Sequence, residues 1–191
     1  VWQPHQEGGN AIAQMIFGEC SPSGKLPTTF PEKLEDSPAH QDTRRYPERK
    51  YKYWDMIKHE TLGINSKFWK KRTKPIDVHY DEGIFVGYRY FDQKNVEPLF
   101  PFGHGLTYTT FEYSSADLDK QNLSENDNFS VSVTLKNEGK YKASEIVQIY
   151  FKSIETKVER PPKELMGFAK VELKPGQEKN VKIDLNTSQL A

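Results

Sequence analysis

Cysteine is nearly missing from this chain: Cys20 is the single one among 191 residues, so no internal disulfide framework can hold it and its order must come from packing. An excess of either charge is missing too. The 27 basic and 27 acidic residues cancel to a formal net charge of zero, which leaves no overall field to retain a nucleic acid or an anionic membrane. No apolar run approaches the roughly 18 residues of a membrane span, and the first residues lack the basic and apolar regions of a signal peptide. The chain opens on Val1 in mid-pattern and is read as a piece of something longer, with any targeting signal expected elsewhere. His5, His79 and His104 are scattered, with no second histidine or cysteine at a metal-ligand interval, so no metal is expected. Gly83 to Gly87 lacks the Lys-Ser/Thr ending of a phosphate loop, and no cofactor is expected.

What remains is 35% hydrophobic and 13% aromatic, enough for one ordinary core or two small ones. Asn10 to Phe17 places Ile12, Met15 and Ile16 on one helical face, with Asn10 as the N-cap and Gly18 as the stop. Ser21 to Gly24 reads as a turn, and Leu26 to Pro31 as an extended segment that its prolines confine to an edge or loop. Together these resemble the last αβ unit of a larger α/β layer. From Glu32 to Asp77 twelve Lys or Arg face eight Asp or Glu, mixed with Tyr46, Tyr51, Trp54 and Trp69 and without a sustained period. Basic residues among aromatics can stack on single-stranded nucleic acid, but a solvated insertion packed through its aromatics is the commoner outcome.

Val78 to Tyr113 is dense in glycine and aromatic residues and reads as a packed, irregular junction between two domains. Beyond it the pattern turns to strands. Phe129, Val131, Val133 and Leu135 alternate with small polar residues, as do Val181, Ile183 and Leu185. Glu145 to Phe151 and Phe168 to Leu173 add further β-rich runs, with Asn137 to Gly139 and Pro175-Gly176 as turns. Pro161-Pro162 is read as the blunting of an edge strand. The fold class expected is therefore α/β plus all-β: a short αβ end followed by a small β-sandwich.

Several strings occur in the order seen in family 3 glycoside hydrolases. Gln6-Glu-Gly-Gly-Asn-Ala-Ile-Ala13, Phe17-Gly18, Pro22-Ser-Gly-Lys-Leu-Pro27 and Phe30-Pro31 resemble the close of that family's α/β sandwich domain. Tyr80-Asp-Glu-Gly-Ile-Phe-Val-Gly-Tyr-Arg-Tyr-Phe-Asp92 and Phe100-Pro-Phe-Gly-His-Gly-Leu-Thr-Tyr-Thr-Thr-Phe111 resemble the segment leading out of it. Asn137-Glu-Gly139, Glu145-Ile-Val-Gln-Ile-Tyr150, Arg160-Pro-Pro-Lys-Glu-Leu-Met-Gly-Phe168 and Leu173-Lys-Pro-Gly176 resemble its fibronectin type III-like (immunoglobulin-like) C-terminal domain. His5, Thr107 and Ala143 depart from the residues usual at their places.

The resemblance implies residues 1–110 as the end of the α/β sandwich domain, with a charged insertion at about 32–79, and residues 111–191 as the fibronectin type III-like sandwich. It implies part of an exo-acting β-glucosidase that hydrolyses terminal non-reducing β-D-glucosyl residues. The substrate, a β-glucoside or oligosaccharide, would be held through an N-terminal barrel. Retaining hydrolysis needs two carboxyl groups about 5–5.5 Å apart, and the resemblance puts both, an Asp nucleophile and a Glu acid/base, upstream of Val1, so no catalytic residue is expected in this chain. Glu7 and Glu82 are the carboxylates in motif context, expected to line the cleft or to hold glycine turns through backbone amides. Asp81 and Glu82 are neighbours and in an extended segment point apart, so they form no dyad. Asn122, Asn128 and Asn186 open N-glycosylation sequons and lean toward an extracellular setting, with the compartment and oligomeric state otherwise open. The other reading is a stand-alone carbohydrate- or surface-binding module without hydrolysis, for which Gln6 to Pro31 would have no use.

Overall fold

The computed structural model describes residues 5–42 and 78–190. The charged and aromatic stretch between them, including the residues considered for nucleic-acid contact, lies outside the described residues.

The first helix, α1 (Gly8–Ile16), starts two residues before the expected cap: Glu7 occupies the N-cap position without a side-chain cap bond. The glycine pair is therefore inside the first turn, and Asn10 bonds sideways, its Nδ2 donating to Glu7 Oε2 at 2.7 Å. Gly18 ends the helix as its left-handed residue, at φ 78°, while Glu19 N–H returns to Gln14 O at 2.8 Å, a closure that favours glycine. Ile12 and Met15 are partly buried, whereas Ile16 stays 71% exposed.

The segment after it is extended, as its prolines require. Leu26 and Phe30 hydrogen-bond in backbone ladder fashion to residues 100–104, with Leu26 N to His104 O and Gly103 N to Leu26 O both at 2.8 Å. The junction holds an unexpected helix, α2 (Tyr88–Lys94), bracketed by Gly87 at φ 55° and by Asn95 in the left-handed region. Tyr90 and Phe91 are its buried residues.

The sandwich consists of two sheets. One holds β1 (Phe111–Leu118), β2 (Asn128–Asn137) and β5 (Glu178–Asn186), ordered β1-β2-β5; the other pairs β3 (Ala143–Phe151) with β4 (Glu164–Leu173). All pairings are antiparallel. The alternation in β2 and β5 turns Val131, Val133, Leu135, Val181, Ile183 and Leu185 inward, where they meet Val147, Val171 and Leu173 from the other sheet. Leu135 and Leu173 are 0% exposed, so each contributes about 2–3 kcal/mol of burial. Between β4 and β5, Lys174 to Gln177 forms a turn with Pro175 second and Gly176 third at φ 72°, the arrangement of a type II turn.

Pro161-Pro162 does not lie in an edge strand. The pair sits in the β3–β4 connection, just ahead of Glu164 where β4 begins. Proline cannot extend the ladder, so it delays the strand instead of blunting it.

Candidate functional site

The two carboxylates singled out by motif lie in different places. Glu7 is exposed at the start of α1 and holds that turn through the Asn10 side chain, not through a backbone amide. With Asn10, Ala11, Gln14, Phe17 and Glu19 it lines an open surface depression. Glu82 is half-buried in the turn Asp81–Ile84, which is closed by Phe85 N–H donating to Glu82 O at 3.0 Å. Among the described residues, no group of three or more His, Cys, Asp or Glu could hold a metal ion. His104 packs its ring on Phe100, centroids 5.1 Å apart.

Among the described residues, two well-covered carboxylates lie elsewhere, and each is paired with a cation. Glu145 on β3 is buried and receives Lys25 Nζ at 2.8 Å from Oε1 and 3.2 Å from Oε2. Tyr113 on β1 adds its hydroxyl to Oε1 at 3.4 Å. Burial pushes the Tyr113 phenol well above its ordinary range, and the adjacent Glu145 charge and hydrogen bond push it further. Glu164 lies 3.2 Å from the Arg89 guanidinium and 3.6 Å from that of Arg160. A carboxylate engaged in this way is oriented by its partners and is poorly placed to attack a substrate.

These pairs lie toward opposite ends of the β3–β4 hairpin, Glu145 opposite Val171 and Glu164 opposite Phe151. Lys25 and Arg89 come from the chain before β1, and Glu145 and Glu164 from the second sheet, so they stitch the two parts at one seam. Aromatic residues fill it: Tyr88 lies against Phe102 at 4.9 Å and edge-on to Tyr150 at 6.1 Å. The Tyr88 hydroxyl accepts the Leu165 N–H at 2.9 Å. Burial first, then Tyr88 and Asp92, raises the Tyr150 phenol above its usual range. Sequence reasoning singled out neither Lys25 nor Glu145 as a partner, because 120 positions separate them and no local pattern links them.

The three sequons differ in setting. Asn122 is exposed in the β1–β2 connection. Asn128 and Asn186 face each other in the β2–β5 register, and Asn186 Nδ2 donates to Asn128 Oδ1 at 2.8 Å and to Asn126 O at 3.1 Å. Their amides already serve the sheet end. Among the described residues no helix is long and apolar enough to cross a membrane.

Comparison with known proteins accounts for this arrangement. Residues 1–88 match the Glycosyl hydrolase family 3 C-terminal domain, and residues 145–191 match the Fibronectin type III-like domain. The chain is 44% identical over 183 residues to thermostable beta-glucosidase B of Acetivibrio thermocellus, covering 96% of this chain and 20% of that protein. It is 40% identical over 186 residues to a beta-glucosidase of Kluyveromyces marxianus, covering 97% and 18%. Beta-glucosidase 3B of Thermotoga neapolitana, solved in complex with glucose, superposes with a TM-score of 0.76 at 34% identity over 97% of this chain and 22% of its own. The chain thus spans about a fifth of the length of these relatives. With both domains present in order, it belongs to glycoside hydrolase family 3 and corresponds to that family's C-terminal portion.

Proposed function

We propose that this chain is the C-terminal part of an exo-acting β-glucosidase that hydrolyses terminal non-reducing β-D-glucosyl residues, and that its own contribution is architectural. The observation that carries the reading is the match along 96% of the chain to a protein named as a β-glucosidase. The site supports it. The buried Glu145 and the half-buried Glu164 are engaged by Lys25 and Arg89, so these two carboxylates join two structural units. The nucleophile and the acid/base then belong to the part of such enzymes that this chain does not span. Glu7 and Glu82 hold the loops next to the glycine turns, and Asn122, which is exposed and outside the amide bonds that join Asn128 and Asn186, is the sequon best placed for a glycan if the protein is secreted. We place the division between the α/β unit and the fibronectin type III-like unit at residue 111, where β1 begins.

The test is hydrolysis of aryl β-glucoside and aryl β-xyloside by the full-length protein and by this chain alone. Glucose release by the full-length protein, none by the chain and a preference for the glucoside are expected. Turnover by the isolated chain, or no glycosidase activity in the full-length protein, would overturn the reading.

A further inference from the structure

The seam between residues 5–42 and 78–110 on one side and the sandwich on the other is built differently from the sandwich itself. The buried apolar cluster runs from Phe129 to Leu185, and the partly buried side chains packed on it run from Phe111 to Leu190. Among the described residues, none before Phe111 joins it. The sandwich core is therefore closed on itself, and the seam shares none of its apolar burial.

Beside the edge-on ring contacts of Tyr88 with Tyr150 and Tyr108 with Tyr141, charge and polar contacts hold the seam. Helix α2 turns one face to the β3–β4 connection and the start of β4. Residues 88, 89, 92 and 93 lie within about 140° of each other on a helix of 3.6 residues per turn. The Tyr88 hydroxyl takes the Leu165 amide at 2.9 Å, Arg89 meets Glu164 at 3.2 Å, Asp92 meets Lys163 at 3.2 Å, and Gln93 donates to Glu159 at 2.9 Å. Lys25 with Glu145 adds a third ion pair across the seam, at 2.8 Å.

The fit is also incomplete. A crevice of about 390 Å³ remains between Thr29, Tyr88, Asp92 and Phe102 on one side and Gln148 and Tyr150 on the other. Thr29 Oγ1 is buried at its edge and Arg89 Nε elsewhere in α2, both without a hydrogen-bond partner among the described residues. A contact with polar stitching, a void and unsatisfied donors has lower cohesion than a shared apolar core.

We propose that this seam is an articulated joint, closed by the charge pairs of α2 and Lys25, which opens while the sandwich core stays folded. Elements held by few apolar contacts and exposed polar bonds form the low-stability end of a fold. The most exposed of these pairs, Lys163 with Asp92 at 51% and 28%, weakens with salt, whereas an apolar core does not.

Amide hydrogen exchange of the full chain tests this. The reporter is the Leu165 amide on the Tyr88 hydroxyl, and Val133 and Val181 in the paired strands β2 and β5 report on the core. Raising sodium chloride from about 0.05 M to about 1 M is expected to speed Leu165 exchange by about tenfold and to leave Val133 and Val181 unchanged. Asp92→Lys is expected to speed Leu165 in the same way at low salt, and the swap Asp92→Lys with Lys163→Asp to restore it. Exchange of Leu165 at the core rate under every salt condition would show one cooperative unit and overturn the joint. So would an absence of any salt effect in the unsubstituted chain, a readout that does not depend on a variant folding. Neither result bears on whether the full-length protein hydrolyses glucosides.

Discussion

Asn137 shows how much a single side chain can organise. It is 0% exposed at the end of β2, and its amide is fully used. Oδ1 accepts from Thr109 Oγ1 at 2.5 Å and from Gly139 N–H at 3.1 Å, and Nδ2 donates to Tyr141 O at 2.8 Å and Leu173 O at 3.1 Å. One residue thus ties the β1 approach, the β2–β3 turn and the end of β4. Gly139 is required beside it, because a Cβ there would lie 2.0 Å from Thr109 Oγ1 and 3.0 Å from Thr109 Cα. Asn137→Ala would strand these buried groups together, and unmet polar groups of this kind cost about 2–4 kcal/mol in total. Urea unfolding of the variant checks it, and a loss under about 0.5 kcal/mol would show that water replaces the amide. Asn137→Asp should be no milder, since a carboxylate would face the Tyr141 and Leu173 carbonyl oxygens that the amide nitrogen now satisfies.

At the scale of elements, legibility followed burial. β2 and β5 alternate cleanly because one face of each meets the core, and this pattern is visible in sequence. β1 is exposed at nearly every position, so it carries no alternation and left no signal, although it pairs with β2 from Phe111 to Leu118. β4 is legible only from Phe168 onward, as a β-rich run without a readable phase, and Phe168 itself is 66% exposed. The register with β3 slips between Ile149 and Tyr150, and this bulge moves the inward positions from Met166 to Val171 and Leu173. Helix α2 was hidden because a run of rings between glycines reads as irregular packing, and its two capping glycine and asparagine conformations appear only in three dimensions. Glu145 did give a hint. In a strand it falls in phase with Val147, so a charge was headed for the interior, but its cation could not be named.

The contact between β1 and β3 at that charge yields a pH dependence. Tyr113 has its folded pKa raised above the ordinary value of 10.0, by burial first and then by Glu145. The folded state therefore keeps this proton after the unfolded chain has released it, so the stabilisation is complete below about pH 10 and declines as pH rises beyond that. Stability by urea unfolding should fall as pH rises above about 10, and Tyr113→Phe should flatten part of the slope. A slope unchanged by the substitution would assign the alkaline loss to other groups.

On the scale of the whole molecule, the pair Lys25–Glu145 joins two parts that share no apolar core. The side chains are only 17% and 10% exposed, so each charge depends on the other for what water would have supplied. Replacing one partner leaves the second charge desolvated, which costs about 3–5 kcal/mol in a sealed interior. A joint able to open limits that loss, because opening returns Glu145 to water. Lys25→Met should accordingly cost about 1–3 kcal/mol in urea unfolding, less than a closed core would impose. Lys25→Met with Glu145→Leu should recover most of it, since two apolar chains of similar volume remove both desolvated charges and fill the same space. The coupling energy from the four proteins decides the matter. If the double variant is no better than Lys25→Met alone, the pair is not what closes the seam, and the α2 face carries that task alone.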